Sequence, residues 1–120
     1  MNDDALTDLG GTSVLVCAPG GPAVRGERDA VDLVGNAFHL GADWVALPVE
    51  RLAGDFFRLR TRLAGAVAQK FVNYRVGLAV VGDVPEGGDA LAAFVRESNR
   101  GRHLWFVADL EELEARLGRQ

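Results

Sequence analysis

Six successive apolar residues, Val76-Gly77-Leu78-Ala79-Val80-Val81, leave this chain few folds to choose from. A half-exposed strand alternates apolar with polar residues. A run without alternation is a strand covered on both faces, the habit of a parallel sheet. Gly82 and Asp83 end the run. Upstream, Leu59, Leu63, Val67 and Phe71 recur at every fourth position, with Ala64 and Ala68 beside them. That spacing predicts an amphipathic helix whose Gln69, Lys70 and Asn73 turn away from the core. Parallel strands need such a crossover between them. Gly65 inside the helix costs about 1 kcal/mol relative to alanine, so a close contact at that position is expected.

The same alternation runs through the rest of the chain. Residues 12–18 read as a strand around Val14, Leu15 and Val16, followed by a Pro19-Gly20-Gly21-Pro22 turn and a brief return strand at residues 23–25. Residues 27–40 read as a helix with Ala30, Val34, Ala37 and Phe38 on its apolar face. Residues 44–47 form a second core strand closed by Pro48. Residues 89–99 form a helix with Leu91, Ala92, Phe94 and Val95 inward, and residues 104–107 another strand. Asp109 caps a last helix through Leu110, Leu113 and Leu117. Residues 1–11 are a tail or an edge strand. Residues 12–118 make one α/β domain, with a mainly parallel mixed sheet of four to five strands, about four helices and right-handed crossovers.

At 120 residues the chain can bury a core without staples. A formal net charge of −4 argues against a general nucleic-acid binder. Cys17 is the single cysteine, which excludes an internal disulfide, and no signal-peptide pattern opens the sequence; a cytoplasmic location is the expectation. No apolar run approaches the length of a membrane span.

The segments Phe71–Asp83 (FVNYRVGLAVVGD) and Glu97–Asp109 (ESNRGRHLWFVAD), with Asp55–Gly65 (DFFRLRTRLAG) upstream, resemble the bacterial domain-of-unknown-function family 4180 over about residues 11–117. The resemblance implies a small cytoplasmic α/β domain with no established activity. The order of elements is also similar to the STAS domains of anti-sigma-factor antagonists and transporter tails, which would make the fold a STAS-like βα sandwich. Those domains carry a phosphorylatable hydroxyl in an Asp-Ser-Ser-Gly type turn before their second helix. The matching place here reads Arg58-Leu59-Arg60-Thr61-Arg62, so Thr61 would hold the hydroxyl position, without the flanking Asp and Gly.

Strand direction sorts the loops onto two ends. Strand-to-helix loops hold Glu50, Asp55, Asp83, Glu86, Asp89 and Asp109; helix-to-strand loops hold Asn73, Arg75, Asn99, Arg100, Arg102 and His103. Helix capping and dipole preferences account for most of this division. Three arginines depart from it. Arg58, Arg60 and Arg62 precede or enter the start of the central helix, where positive charge is unfavourable unless an anion sits nearby. With Thr61 they form a candidate anion or partner site. Asn73, Arg75, Asn99 and Arg100 form a candidate partner surface on one side of the domain. His39 and His103 lack a ligand partner at metal spacing, Cys17 lies in an apolar strand, and no nucleophile elbow, P-loop or dinucleotide fingerprint occurs. The expectation is therefore a non-enzymatic regulatory or protein-interaction module without metal or cofactor. It would act on a protein partner or as a homodimer, with Phe56 or Phe57 in the contact. The alternative is a domain that binds a small anion through Arg58–Arg62.

Overall fold

The computed structural model describes residues 4–52 and 54–119. Five strands and four α-helices follow in the order β1 (Ala5–Leu9), β2 (Thr12–Val16), α1 (Glu27–His39), β3 (Trp44–Pro48), α2 (Leu63–Tyr74), β4 (Gly77–Val81), α3 (Gly88–Arg100), β5 (Leu104–Val107) and α4 (Leu110–Gly118). The strands lie side by side in chain order. β1 and β2 form an antiparallel hairpin, and β2 through β5 run parallel. The segment read as a tail or an edge strand is thus β1; residues 1–3 of that segment lie outside the described residues. Residues 23–25 make no return strand. Val24 contributes one isolated bridge to Leu52.

Strand parity divides the core in two. Leu15, Val45, Leu47, Leu78, Val80, Leu104 and Phe106 face α1, α2 and α3, and meet Ala30, Val34, Ala64, Val67 and Phe71 there. Val14, Trp44, Ala46, Ala79, Trp105 and Val107 face the other way, toward Leu113 and Leu117 of α4. β4 is covered on both faces, as its unbroken apolar run demands.

The second face is organised by two indoles. Trp44 of β3 sits in register with Gly77 of β4, and its ring lies where any side chain at position 77 would project: a Cβ there would come within 2.3 Å of it. The glycine lets Trp44 lean over β4 and meet Trp105 of β5, with ring centroids 4.1 Å apart. Arg116 of α4 stacks its guanidinium 4.0 Å from the Trp105 ring and donates to the Asn99 carbonyl. The indole N–H of Trp105 donates to the Gly101 carbonyl at 2.9 Å.

Three local expectations are corrected. α2 begins at Leu63, so Leu59 lies outside it. Residues 54–61 wind instead through two short 3-10 turns, Gly54–Phe57 and Leu59–Thr61, and Arg62 breaks the path with a left-handed φ of 63°. Gly65 has no neighbour against a hypothetical Cβ and faces solvent, so no close contact explains it. Phe38 stands 52% exposed rather than inward.

Replacing Gly77 by valine should push Trp44 off Trp105. A loss of about 1–3 kcal/mol, the usual range for overpacking, is expected in urea denaturation; an unchanged midpoint would show that the indoles do not need the gap.

Candidate interaction surface

Because β2 to β5 run parallel, the chain ends of α1, α2 and α3 and the starts of β3, β4 and β5 share one end of the sheet. There α1 closes with Phe38, His39 and Leu40, and α2 with Asn73, Tyr74 and Arg75. Phe38 and Tyr74 meet edge to face, 5.7 Å between centroids. Phe38, Leu40 (47% exposed) and Tyr74 (39%) are three of the five exposed large apolar side chains among the described residues; the others are Leu6 and Leu110. Spacing alone placed Phe38 inward because it follows Val34 by one turn. Ala30, Val34 and Ala37 already fill that face, and Phe38 stands at its rim.

Arg75 occupies an unusual backbone position. It is the C-terminal cap of α2, with φ 58° and ψ 36°, and its N–H reaches the carbonyls of Phe71 and Val72. Glycine is the customary residue there, because a side chain in the left-handed region costs on the order of 1 kcal/mol. Beside it, Asn73 accepts from the Gln69 side-chain amide at 2.9 Å. The start of β4 adjoins the start of β5 through Leu78 N–H to the His103 carbonyl, which brings Arg100, Arg102 and His103 to the same end. α4 runs back toward this end and adds Arg116 and Arg119. The result is an aromatic patch on a mainly basic end of an acidic chain, an end whose carboxylates include Asp8, Asp43, Glu97 and Glu114.

The residues grouped as a partner surface do different things. Arg100 pairs with Glu97 on the surface at 3.5 Å, and no ion pair joins Glu97 to Arg75. Asn99 is half-buried and structural: its Oδ1 accepts the Phe106 N–H at 2.7 Å, which satisfies the outward-facing edge of β5. Asn73, Arg75 and Arg100 are exposed.

The arginine-rich stretch lies at the opposite end. Arg58, Arg60, Thr61 and Arg62 are all exposed. Arg58 approaches Asp55 at 3.8 Å. Arg60 and Arg62 make no ion pair among the described residues. The Thr61 hydroxyl lies 2.8 Å from the carbonyls of both Asp55 and Arg58 and accepts the Leu63 N–H at 3.3 Å, so it pins the 3-10 turns to the start of α2. A shallow cleft of about 670 Å³ includes Arg58 and Arg60 but also Glu86. Phe56 is buried in the core. Phe57 packs edge-on against it and is only partly exposed, so this pair offers little apolar contact surface.

The sequence reading missed a buried ion pair. Arg51 Nη1 lies 2.9 Å from Asp4 Oδ1, with side chains 6% and 3% exposed. The guanidinium also donates to the carbonyls of Pro22 and Ala18, and the carboxylate accepts the Ala18 N–H at 2.8 Å. Gly21 makes room, because a Cβ there would meet the guanidinium carbon at 2.7 Å. Nothing local marks the pair, whose members stand 47 positions apart. Beside it, burial and the Asp4 charge push the Cys17 thiol up to about 12, which keeps it protonated. Among the described residues no group of three His, Cys, Asp or Glu side chains gathers to hold a metal, and no helix is long and apolar enough to cross a membrane.

Replacing Arg51 by methionine strands a buried carboxylate and should cost roughly 3–5 kcal/mol in urea denaturation, much of it recovered when Asp4 becomes leucine as well. Burial pushes Asp4 up, but the Ala18 N–H and the Arg51 guanidinium outweigh it and hold the pKa below its ordinary 3.8. A carboxylate lowered in the folded state stabilises fully above its unfolded pKa and loses that contribution as pH falls through the folded one. The wild-type chain should therefore lose stability more steeply below about pH 4 than the double variant does. Parallel acid curves would refute the assignment.

The sequence profile of a domain of unknown function, DUF4180, matches residues 9–117. No curated protein and no solved structure matches the chain.

Proposed function

Because the chain belongs to the DUF4180 family, whose description assigns no activity, we propose a role from its own surface: a non-enzymatic, regulatory protein-interaction module. It docks an acidic partner segment, through an apolar anchor, on the Phe38–Tyr74 end of the sheet. The observation that carries this reading is the exposed aromatic pair itself. Two rings and Leu40 lie open to water at one end of the fold, where contiguous apolar surface with a polar rim is the usual mark of a contact site. Arg75 supports it, since an exposed arginine occupies the left-handed cap of the helix that carries Tyr74, a position where glycine would be unstrained. The surrounding arginines select the sign of the partner. Aromatic and arginine side chains are also the residue types that dominate binding energy at protein contacts. The protonated, buried Cys17 offers no nucleophile.

Selection of displayed peptides against the wild-type chain tests the proposal. Enriched sequences should combine aspartate or glutamate with a leucine or aromatic residue, and should lose binding to a Phe38→Ser/Tyr74→Ser variant whose melting temperature is unchanged. Both replaced side chains are exposed, so the fold should tolerate them. Enrichment of peptides that bind the variant equally well would place the contact elsewhere.

The alternative reading, a small-anion site at Arg58, Arg60, Thr61 and Arg62, draws on Arg60 and Arg62 at the start of α2, which have no ion pair among the described residues. The engagement of the Thr61 hydroxyl weighs against it as a phosphate ligand. Phosphate titration monitored by amide NMR shifts separates the two readings. On the favoured one, the amides of residues 58–64 stay in place. Saturable shifts confined to them would favour the anion site.

A further inference from the structure

The second face of the sheet is filled over only half its height. Across the strands, Thr7, Val14, Trp44 and Gly77 are in register, and over Val14 and Trp44 the indoles and α4 leave no space. One step toward the C-terminal ends of the parallel strands, the register row is Ala5, Val16, Ala46 and Ala79. Above it come Pro48 and Val81, again in register. These side chains are too short to reach the start of α4, and a groove of about 720 Å³ opens between β1 and that helix. Its volume is that of a site for one small molecule, below what a partner helix or a second copy would occupy. It lies toward the carboxyl ends of the parallel strands.

Charge names the occupant. The walls are mainly apolar, and among the described residues the charged side chains of the lining are the carboxylates Glu50, Asp109 and Glu111. Asp109 spends one oxygen on the Glu112 N–H as the cap of α4. Glu50 and Glu111 make no ion pair among the described residues. We infer that this groove binds a small amphiphilic cation, an alkyl- or arylammonium whose apolar body lies along Val16, Ala46 and Val81 and whose charge is met by Glu50 and Glu111. The site lies at the end of the sheet opposite the Phe38–Tyr74 patch and does not depend on the interaction reading.

Calorimetric titration of the full chain with three probes of one chain length decides the matter: 3-phenylpropylammonium, 3-phenylpropanol and 3-phenylpropionate at millimolar concentration. The ammonium should bind best, the alcohol more weakly and the carboxylate not at all. The exposed charges are worth little singly, so a Glu50→Gln/Glu111→Gln variant should weaken the ammonium by about five-fold and leave the alcohol unchanged. Ala5→Trp, at an exposed edge position of the groove, should abolish binding of both without altering the melting temperature; if it does alter it, Val16→Phe serves instead. Equal binding of the cation and the alcohol, binding of the carboxylate, insensitivity to the filled groove, or binding of no probe would each overturn the assignment.

Discussion

A side chain that is absent sets the arrangement of the second face. Gly77 stands opposite Trp44, and its missing Cβ lets one indole cross the width of a strand to reach another. Three parallel strands, β3, β4 and β5, are thereby joined by a side-chain contact that crosses them above the sheet's hydrogen bonds. The consequences propagate outward. Trp105 fixes the chain reversal after α3 through Gly101, and its ring carries the guanidinium of Arg116. Arg116 reaches the Asn99 backbone, and Asn99 satisfies the free edge of β5. A single polar and aromatic network thus closes the sheet on the side where no further strand pairs, which is where aggregation by edge pairing would otherwise begin.

The opposite edge is held by a different chemistry. β1 is exposed along most of its length and contributes little burial of its own. What ties it down is the hairpin ladder and, just before it, the Asp4–Arg51 pair. Buried ion pairs are weak contributors to net stability, because desolvation offsets their attraction. Their stronger effect is selective. Here the carboxylate also takes the Ala18 amide and the guanidinium takes two carbonyls of the glycine-rich loop, so one register of the N-terminal segment satisfies every group. A slipped hairpin would leave a buried cation facing carbonyls alone. Gly21 provides the space for the guanidinium, just as Gly77 provides it for the indole.

Periodicity carried the main architecture in the sequence because burial on a sheet imposes periods that few other folds share. The unbroken run at Val76–Val81 required helices on both faces, and both are present. The stripe through Leu59, Leu63, Val67 and Phe71 located α2 but placed its start a turn too early. Leu59 keeps the fourfold spacing from within a 3-10 turn, since such turns also bring residues round to the core. Phe38 was misplaced because a position one turn after Val34 can lie at the border of an apolar face, and only packing decides which side it takes. Asp4 and Arg51 were illegible for a different reason. A charged residue in a loop reads as solvated, and its burial depends on a partner brought to it by the whole fold.

The two ends of the sheet differ more than helix capping requires. Capping explains acidic first turns such as Glu111 and Glu112 in α4, and basic last turns such as Arg100 in α3. It does not explain arginines in left-handed backbone positions. The non-glycine residues of positive φ among those described are Arg62 and Arg75, one at each end of α2. At Arg75 the geometry is that of an ordinary helix stop, and glycine would satisfy the same carbonyls with less strain. At Arg62 no side-chain cap accompanies the strained backbone, and the charge opposes the helix dipole. Both positions set an exposed arginine on left-handed backbone. Arg75 directly follows Tyr74, whose exposed ring packs against Phe38, so in the docking role proposed above the strained position would set an arginine next to the apolar anchor.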